Sequence, residues 1–572
     1  MMNRLNVSIF TRLEERWNGI QVGRQGSYSV ERLESFDYYC KTTSFTRVLI
    51  VCVLTPVPAV LVTILLDCLP LRPVSEGWSA NWVFWVRMTI NMLLSCTFGV
   101  LEFEKFVPVL HVSFLQGLAL VVLPTIMLMP TLISLSSVIG FPIPFIVMLA
   151  GLVSGVFNSI VVLLVLGKAP FSKDSPCWPY LQRYQRYSSG CVTVAGLYPL
   201  FKAIYDLVPS SYQAFTVVML SIWKFCARYY VVNATRDLED VISQTVSFMA
   251  DLFGSLFISV CMSSASSFYI SALFIAADIG QTLLEFHELQ TNANILVALL
   301  DRRFSTASIR QLKISLKRPN LTAVILAVTR NPGANNITRL HGVRLQACIP
   351  HPLPDDRFQQ LQTLAASGSY YHKTDSNRAI IRHQSTIVLR FLQQSAVLPA
   401  GPSVINVTSM LTPDTVNQTT SECDDVDAKR GEQSEKIVSQ GLQLLFHCEY
   451  VALVEYIECF VPVIYVLYKS VLELLPNVVY YPGVAGKWNQ HIAINILLFA
   501  LLEIGSFFVM SHMFKRKFEL NPLYQVAFVL ETQMVCIQQK LFTLMLFVLT
   551  YELAHSGVDF SFHFAWLRSK EG

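Results

Sequence analysis

The sequence predicts an all-α integral membrane protein, a polytopic helical bundle of about ten spans with a large hydrophilic insertion before the last three. Three observations predict it. Hydrophobic residues make up 53% of the 572 positions and charged residues only 14%, where soluble chains carry roughly 25% charged residues to wet their surface. The mean hydropathy is +0.47. The charges that do occur cluster between long apolar runs, so lipid replaces water as the solvent for much of the surface.

The elements follow in chain order. Residues 1–46 form a polar N-terminal arm with no cleavable signal, so the first apolar run is expected to stay as an anchor. Leu5, Ile9, Leu13 and Trp17 repeat every four residues beside Arg4, Arg12 and Arg16. On a helix that is an apolar stripe with basic edges, suited either to the membrane interface or to the protein's own loops.

Spanning helices need about 20 mainly apolar residues. The clear runs are 48–67, 82–101, 107–130, 141–167, 212–232, 252–277, 444–468 and 491–511, and the weaker ones are 191–208 and 523–550. They make an N-terminal bundle over 47–284 and a C-terminal one over 444–554, with a short tail at 555–572. Trp78, Trp82 and Trp85 cluster where an aromatic belt sits. Pro56, Pro58, Pro124, Pro142 and Pro144 are expected to kink or end helices. The run 252–277 reads as one helix or as two short ones turned at Met262–Phe268. One helix is expected, since the segment carries no central Pro, Asn or Gly and Ser255, Ser259, Ser263, Ser267 and Ser271 recur every four residues as a packing ridge. Gly151 and Gly155 form a G-x-x-x-G motif, expected to pack a helix closely within the subunit or between subunits, the first being preferred.

Residues 285–443 are hydrophilic, and a helix is expected to lead out of the membrane at their start. Beyond it stand two readings, a small mixed domain over 295–395 or a loop, followed by a disordered acidic Ser/Thr-rich tail over 400–436. Lys and Arg favour cytoplasmic loops. Seven basic residues precede the first span, and Lys515, Arg516 and Lys517 lie between the last two. Both the N-terminus and the 285–443 segment are therefore expected to be cytoplasmic. Ten spans put those two expectations one crossing out of step, and the sequons at Asn320, Asn336, Asn406 and Asn417 fit the opposite side for the segment.

Three hydrophobic runs carry a resemblance: TRVLIVCVLTPVPAVLVTILLDCLPLRP (46–73), EGWSANWVFWVR (76–87) and HCEYVALVEYIECFVPVIYVLY (447–468). They resemble a large family of uncharacterised polytopic membrane proteins found in oomycetes, over most of the chain. The resemblance implies the multi-pass fold and brings no activity, cofactor or site residue.

Composition and motifs narrow the function. A net charge of +4 suits basic loops on anionic headgroups, not nucleic acid. The 13 cysteines include no C-x-x-C pair, and several lie in apolar runs as small hydrophobes. Gly483–Lys487 lacks P-loop spacing, and neither H-E-x-x-H nor G-x-S-x-G occurs. Asp424, Asp425 and Asp427 read as a solvated acidic run, so no metal, cofactor or catalytic residue is expected. The remaining leads are ionisable groups at membrane depth. Glu455 and Glu458 fall within about 60° on one helix face, and His447 lies near the angle of Glu458. Glu503 stands deep in 491–511. These four are the candidate ion or proton site, against the reading that they, with Glu449, only bond neighbouring helices or headgroups. Lys202 and Asp206 form a candidate intramembrane pair, and Arg87 and Asn91 are expected to reach the interface. A transporter or channel-like protein in the lipid bilayer is the leading function. A non-transporting receptor or scaffold, with protein partners on 285–443, is the alternative.

Overall fold

The computed structural model describes residues 21–209, 213–264, 268–304, 321–333, 340, 342–367, 370, 418–481 and 488–558. These are 82% helical and hold no strand. Seven described helices are long and apolar enough to cross a membrane: Phe45–Asp67, Trp82–Phe106, Phe114–Ile139, Ile146–Leu166, Glu239–Ser263, Gly431–Glu473 and Gln490–Phe518. Of the other expected spans, 191–208 and 212–232 lie partly outside the described residues and side chains, and 523–550 is broken into shorter helices.

Local chemistry explains the boundaries. The first span is two helices, α1 (Phe45–Leu54) and α2 (Val57–Asp67), divided at Pro56. Then come α3 (Trp82–Phe106), α4 (Phe114–Ile139) and α5 (Ile146–Leu166). Helix α4 corrects the expected 107–130 and fills the gap left before the run 141–167. Its start is fixed by a capping box between Ser113 and Gln116, and it continues through Pro124 and Pro130. The hydroxyls of Thr125 and Thr131, each beside a proline, donate to the carbonyls of Val121 and Met127, the kind of local bond that lets a helix pass a proline. Helix α6 (Trp178–Leu207) begins before the expected run 191–208, and α7 (Gln213–Thr235) follows.

The serine-rich span starts 13 residues earlier than expected. Helix α8 (Glu239–Val246) runs through a π-helical turn at Ser247–Asp251 into α9 (Leu252–Ser264). Glu239 and Asp240 suit the helix N-terminus, and the polar side chains that follow find buried partners, such as Ser243 bonding Glu449. The expected continuity of 252–277 falls partly on residues 265–267, outside the described residues. Beyond them α10 spans Phe268–Phe304. After the short α11 (Leu321–Arg330) and α12 (Asp355–Ala366) comes α13 (Gln418–Glu473). It makes residues 418–436 of the acidic tail helical, contrary to expectation; no proline follows Pro413 there, and Lys436 pairs with Glu432 one turn away. Helix α14 is Gln490–Phe518, capped by Asn489. The last expected span is broken into α15 (Pro522–Thr532) and α16 (Met534–Thr543). Gln533 leaves helical geometry there, and Lys105 takes the freed carbonyl of Thr532 at 2.7 Å.

Contacts divide the chain into two compact units. The smaller comprises Ser27–Tyr38 and Asn292–Leu444. Its described interior joins Glu34 to Arg330 by two 2.6 Å bonds and to Arg357 at 3.0 Å. The backbone amides of Ala347 and His351 donate to Glu31 at 2.8 and 3.0 Å. The larger unit holds the rest, Met1–Gly26, Tyr39–Thr291 and Leu445–Gly572. There the apolar stretch of Glu239–Ser263 is wholly buried, while only 17% of that of Ile146–Leu166 and 28% of that of Gln490–Phe518 are. Outer helices instead expose Leu49, Leu65, Leu152, Leu164, Leu501 and Phe508, far more apolar surface than a wetted exterior carries.

Arg87 does not reach an interface. It is buried and paired with Asp67, which also accepts from the hydroxyls of Tyr468 at 2.9 Å and Tyr481 at 3.1 Å. Beyond the spans, His555 is buried against Phe84, with Nε2 at 2.8 Å from the Arg72 carbonyl and 3.0 Å from Asn81 Oδ1. Burial pushes its pKa down to about 4 from 6.5. The unfolded chain therefore binds the extra proton first, so this group's contribution is full above pH 6.5 and is lost as pH falls toward 4. Thermal unfolding of purified protein should show that loss, and His555→Gln should flatten the profile between those two pH values; an unchanged slope would mean that His555 does not titrate in this way.

Candidate functional site

Four helices of the larger unit bring ionisable side chains to one buried place. Lys224 of α7 sits with Nζ 3.3 Å from Asp278 of α10 and 3.3 Å from Glu458 of α13. Glu503 of α14 completes the group: one carboxylate oxygen from each of Asp278, Glu458 and Glu503 lies within 4.8 Å of the others. All four side chains are nearly inaccessible, at 5% or less of full exposure. Glu455 stands beside them and accepts from Ser506 Oγ at 2.8 Å. Asp278 Oδ2 is buried without a hydrogen-bond partner.

Charge balance sets what this group does. Ionised carboxylates in a medium of low dielectric repel one another strongly. One ammonium offsets one of them, so the remaining negative charge calls for protons or a bound cation. Three oxygens this close suit a hard cation, yet Lys224 already stands in contact with two of the three carboxylates, and a metal ion would have to displace it.

The neighbouring packing is shaped for this lysine. A Cβ on Gly254 of α9 would come within 2.5 Å of Lys224 Cε, so the glycine makes room for the stem. Ser255 and Ser259 are fully buried on the same helix. Ser263 shares a 2.8 Å hydroxyl contact with Tyr465. Ser271 is buried on α10, and Ser267 lies outside the described residues.

A second ionic group lies further along the same helices. Arg228 donates to Asp251 at 2.8 Å and to Glu285 at 2.6 Å. His447 is buried beside Gly23, apart from the carboxylate group with which the sequence associated it; the two are about three turns apart along α13. Glu449 is buried and bonded by Ser243, not at a headgroup. In another part of the unit Lys540 bonds Tyr187 at 2.7 Å, and Tyr187 bonds Glu102 at 2.5 Å.

No family model, curated protein or solved structure matches the chain. The residues themselves therefore carry the functional reading.

Of the four candidate residues, the structure brings together Glu455, Glu458 and Glu503. Lys202 and Asp206 lie on α6, their side chains outside the described residues. The preferred packing of Gly151 and Gly155 within the chain is corrected: both are exposed, and a Cβ on either meets nothing within 4 Å. Sequence reasoning missed Lys224, Arg228 and Asp278. The available signal was a Lys and an Arg four apart inside the apolar run 212–232, and an aspartate directly after the run 252–277.

The contrast between glycines is testable. Gly254→Ala should lower thermal stability by about 1–3 kcal/mol, the usual effect of overpacking a filled core. Gly155→Ala, on an open helix face, should leave it level or raise it by about 0.5–1 kcal/mol. Equal effects at both positions would contradict the close approach of Lys224 to Gly254.

Proposed function

We propose that the chain is a multi-pass integral membrane protein of transporter or channel-like type, with Asp278, Glu458 and Glu503, aided by Glu455, as its ion or proton site. The observation that carries the reading is the convergence of these carboxylates on Lys224 with more negative charge than one ammonium offsets. Such a site costs free energy in a dry core, and helix packing alone has no use for it. It gains a purpose when its charge changes with a passing proton or cation. The seven long apolar helices and their exposed apolar faces support the membrane setting. The basic residues before the first span and at 515–517 support a cytoplasmic N-terminus and a cytoplasmic 285–443 segment. Membership of the oomycete membrane-protein family belongs to the same proposal and adds no activity to it.

A receptor or scaffold is the second reading, favoured by the ion-paired helical interior of the smaller unit around Glu34.

Flux measured in proteoliposomes under imposed pH and salt gradients separates the two. Parent protein should carry a pH-dependent flux, and Glu458→Gln and Glu503→Gln should abolish it while the protein stays folded. Variants that match the parent at every pH would make the carboxylates structural, and a parent without flux would favour the scaffold.

A further inference from the structure

The carboxylate group and the Arg228 group share three helices. On α7, Lys224 and Arg228 are four residues apart; on α10, Asp278 and Glu285 are seven apart, with Glu288 three further on. On α13, Glu458 and His447 are eleven apart, within about 20° of one another around the helix. From Asp278 to Glu288 the stripe rises about 15 Å. Side-chain exposure grows along it. Lys224, Asp278 and Glu458 are at 2–4%, Arg228 and Glu285 at 13% and 15%, and Glu288 at 15%, paired with Arg24 at 30%. Between the two levels Gln281 donates to Glu285 at 3.2 Å, and Thr282 bonds Glu455.

At the outer end lies a cavity of about 30 Å³ lined by Gly23, Arg228, Glu285, Glu288, His447 and Tyr450. A water needs about 10–15 Å³ measured in this way, so the cavity has room for two or so. Its walls offer them carboxylates, a guanidinium and an imidazole. A metal ion carrying its hydration shell does not fit, and its route would pass Arg24 and Arg228 to end against Lys224. A proton needs only water and carboxylates.

We propose that the species taken up at the carboxylate site is the proton, and that it arrives from this cavity by way of Glu288 and Glu285. Each step moves one proton from a hydronium or a carboxyl to a carboxylate, leaving water or the carboxylate behind, with no other reactant. The Arg228–Glu285 pair holds the middle of the route, and Asp278 with Glu503 and Glu458 is its end. This rests on the reading of those three as the ion or proton site.

Infrared spectroscopy of the full chain in lipid tests both parts, by following buried carboxyl bands after a jump into D2O. Asp278→Asn should remove or shift a buried carboxyl band, which marks the site. Glu285→Gln should slow deuterium entry into that band about a hundredfold, the low end of what a positioned proton-transfer group supplies. Glu288→Gln, on the same cavity wall, should also slow it and serves if Glu285→Gln does not fold. If Asp278→Asn removes the band while both Gln variants exchange at the parental rate, the route is overturned and the site stands. If Asp278→Asn leaves every carboxyl band unchanged, the site reading fails and the route with it.

Discussion

Buried charge needs opposite charge, and in the centre of the larger unit that requirement falls on Lys224. Its ammonium is the cation in direct contact with Asp278 and Glu458. Helices α7, α10 and α13 are tied by those contacts, α14 joins through Glu503, and α9 leaves space for the lysine with a glycine. Remove the cation, and several carboxylates remain in a dry core, where an uncompensated charge costs several kcal/mol. The same imbalance that makes the arrangement costly makes it sensitive to protons, which links packing to function.

Other buried ionic groups in this unit are closer to balance. Asp67 meets Arg87 and two tyrosine hydroxyls, and Arg228 stands between Asp251 and Glu285. Lys540 and Glu102 are linked through Tyr187. Each ties one helix to another, and the contacts of Tyr468, Tyr481 and Lys540 join residues more than 350 positions apart. In hydrocarbon, apolar packing discriminates weakly between one helix pairing and another, so polar contacts of this kind help to fix which helices meet.

The helical, membrane-suited character was legible because every spanning helix must be long, apolar and internally bonded. The helix ends were less so. The expected apolar run ends at residue 130, yet Thr131 bonds the turn and the helix runs on to Ile139. The next expected run begins at 252 and leaves out the Ser, Gln and Thr residues over 239–251; their partners, such as Glu449 for Ser243, lie some 206 positions away. Gln533 gave no sign of a break, since the group that accommodates it is Lys105 on another helix. Of the site, Glu455, Glu458 and Glu503 were visible as acids in apolar runs. Lys224 and Asp278 were not, because a cation inside a run of 21 residues and an aspartate at a run's edge acquire meaning only when the fold sets them together.

A double-mutant cycle on Lys224→Met and Glu458→Gln, read by thermal stability in lipid or detergent, tests that convergence most directly. Removing the ammonium alone should destabilise strongly, and removing the facing carboxylate as well should recover part of the loss. The coupling should reach about 0.5–3 kcal/mol, as for groups in one ion-pair network. Effects that simply add, within about 0.3–0.5 kcal/mol, would place the two residues apart and contradict the account.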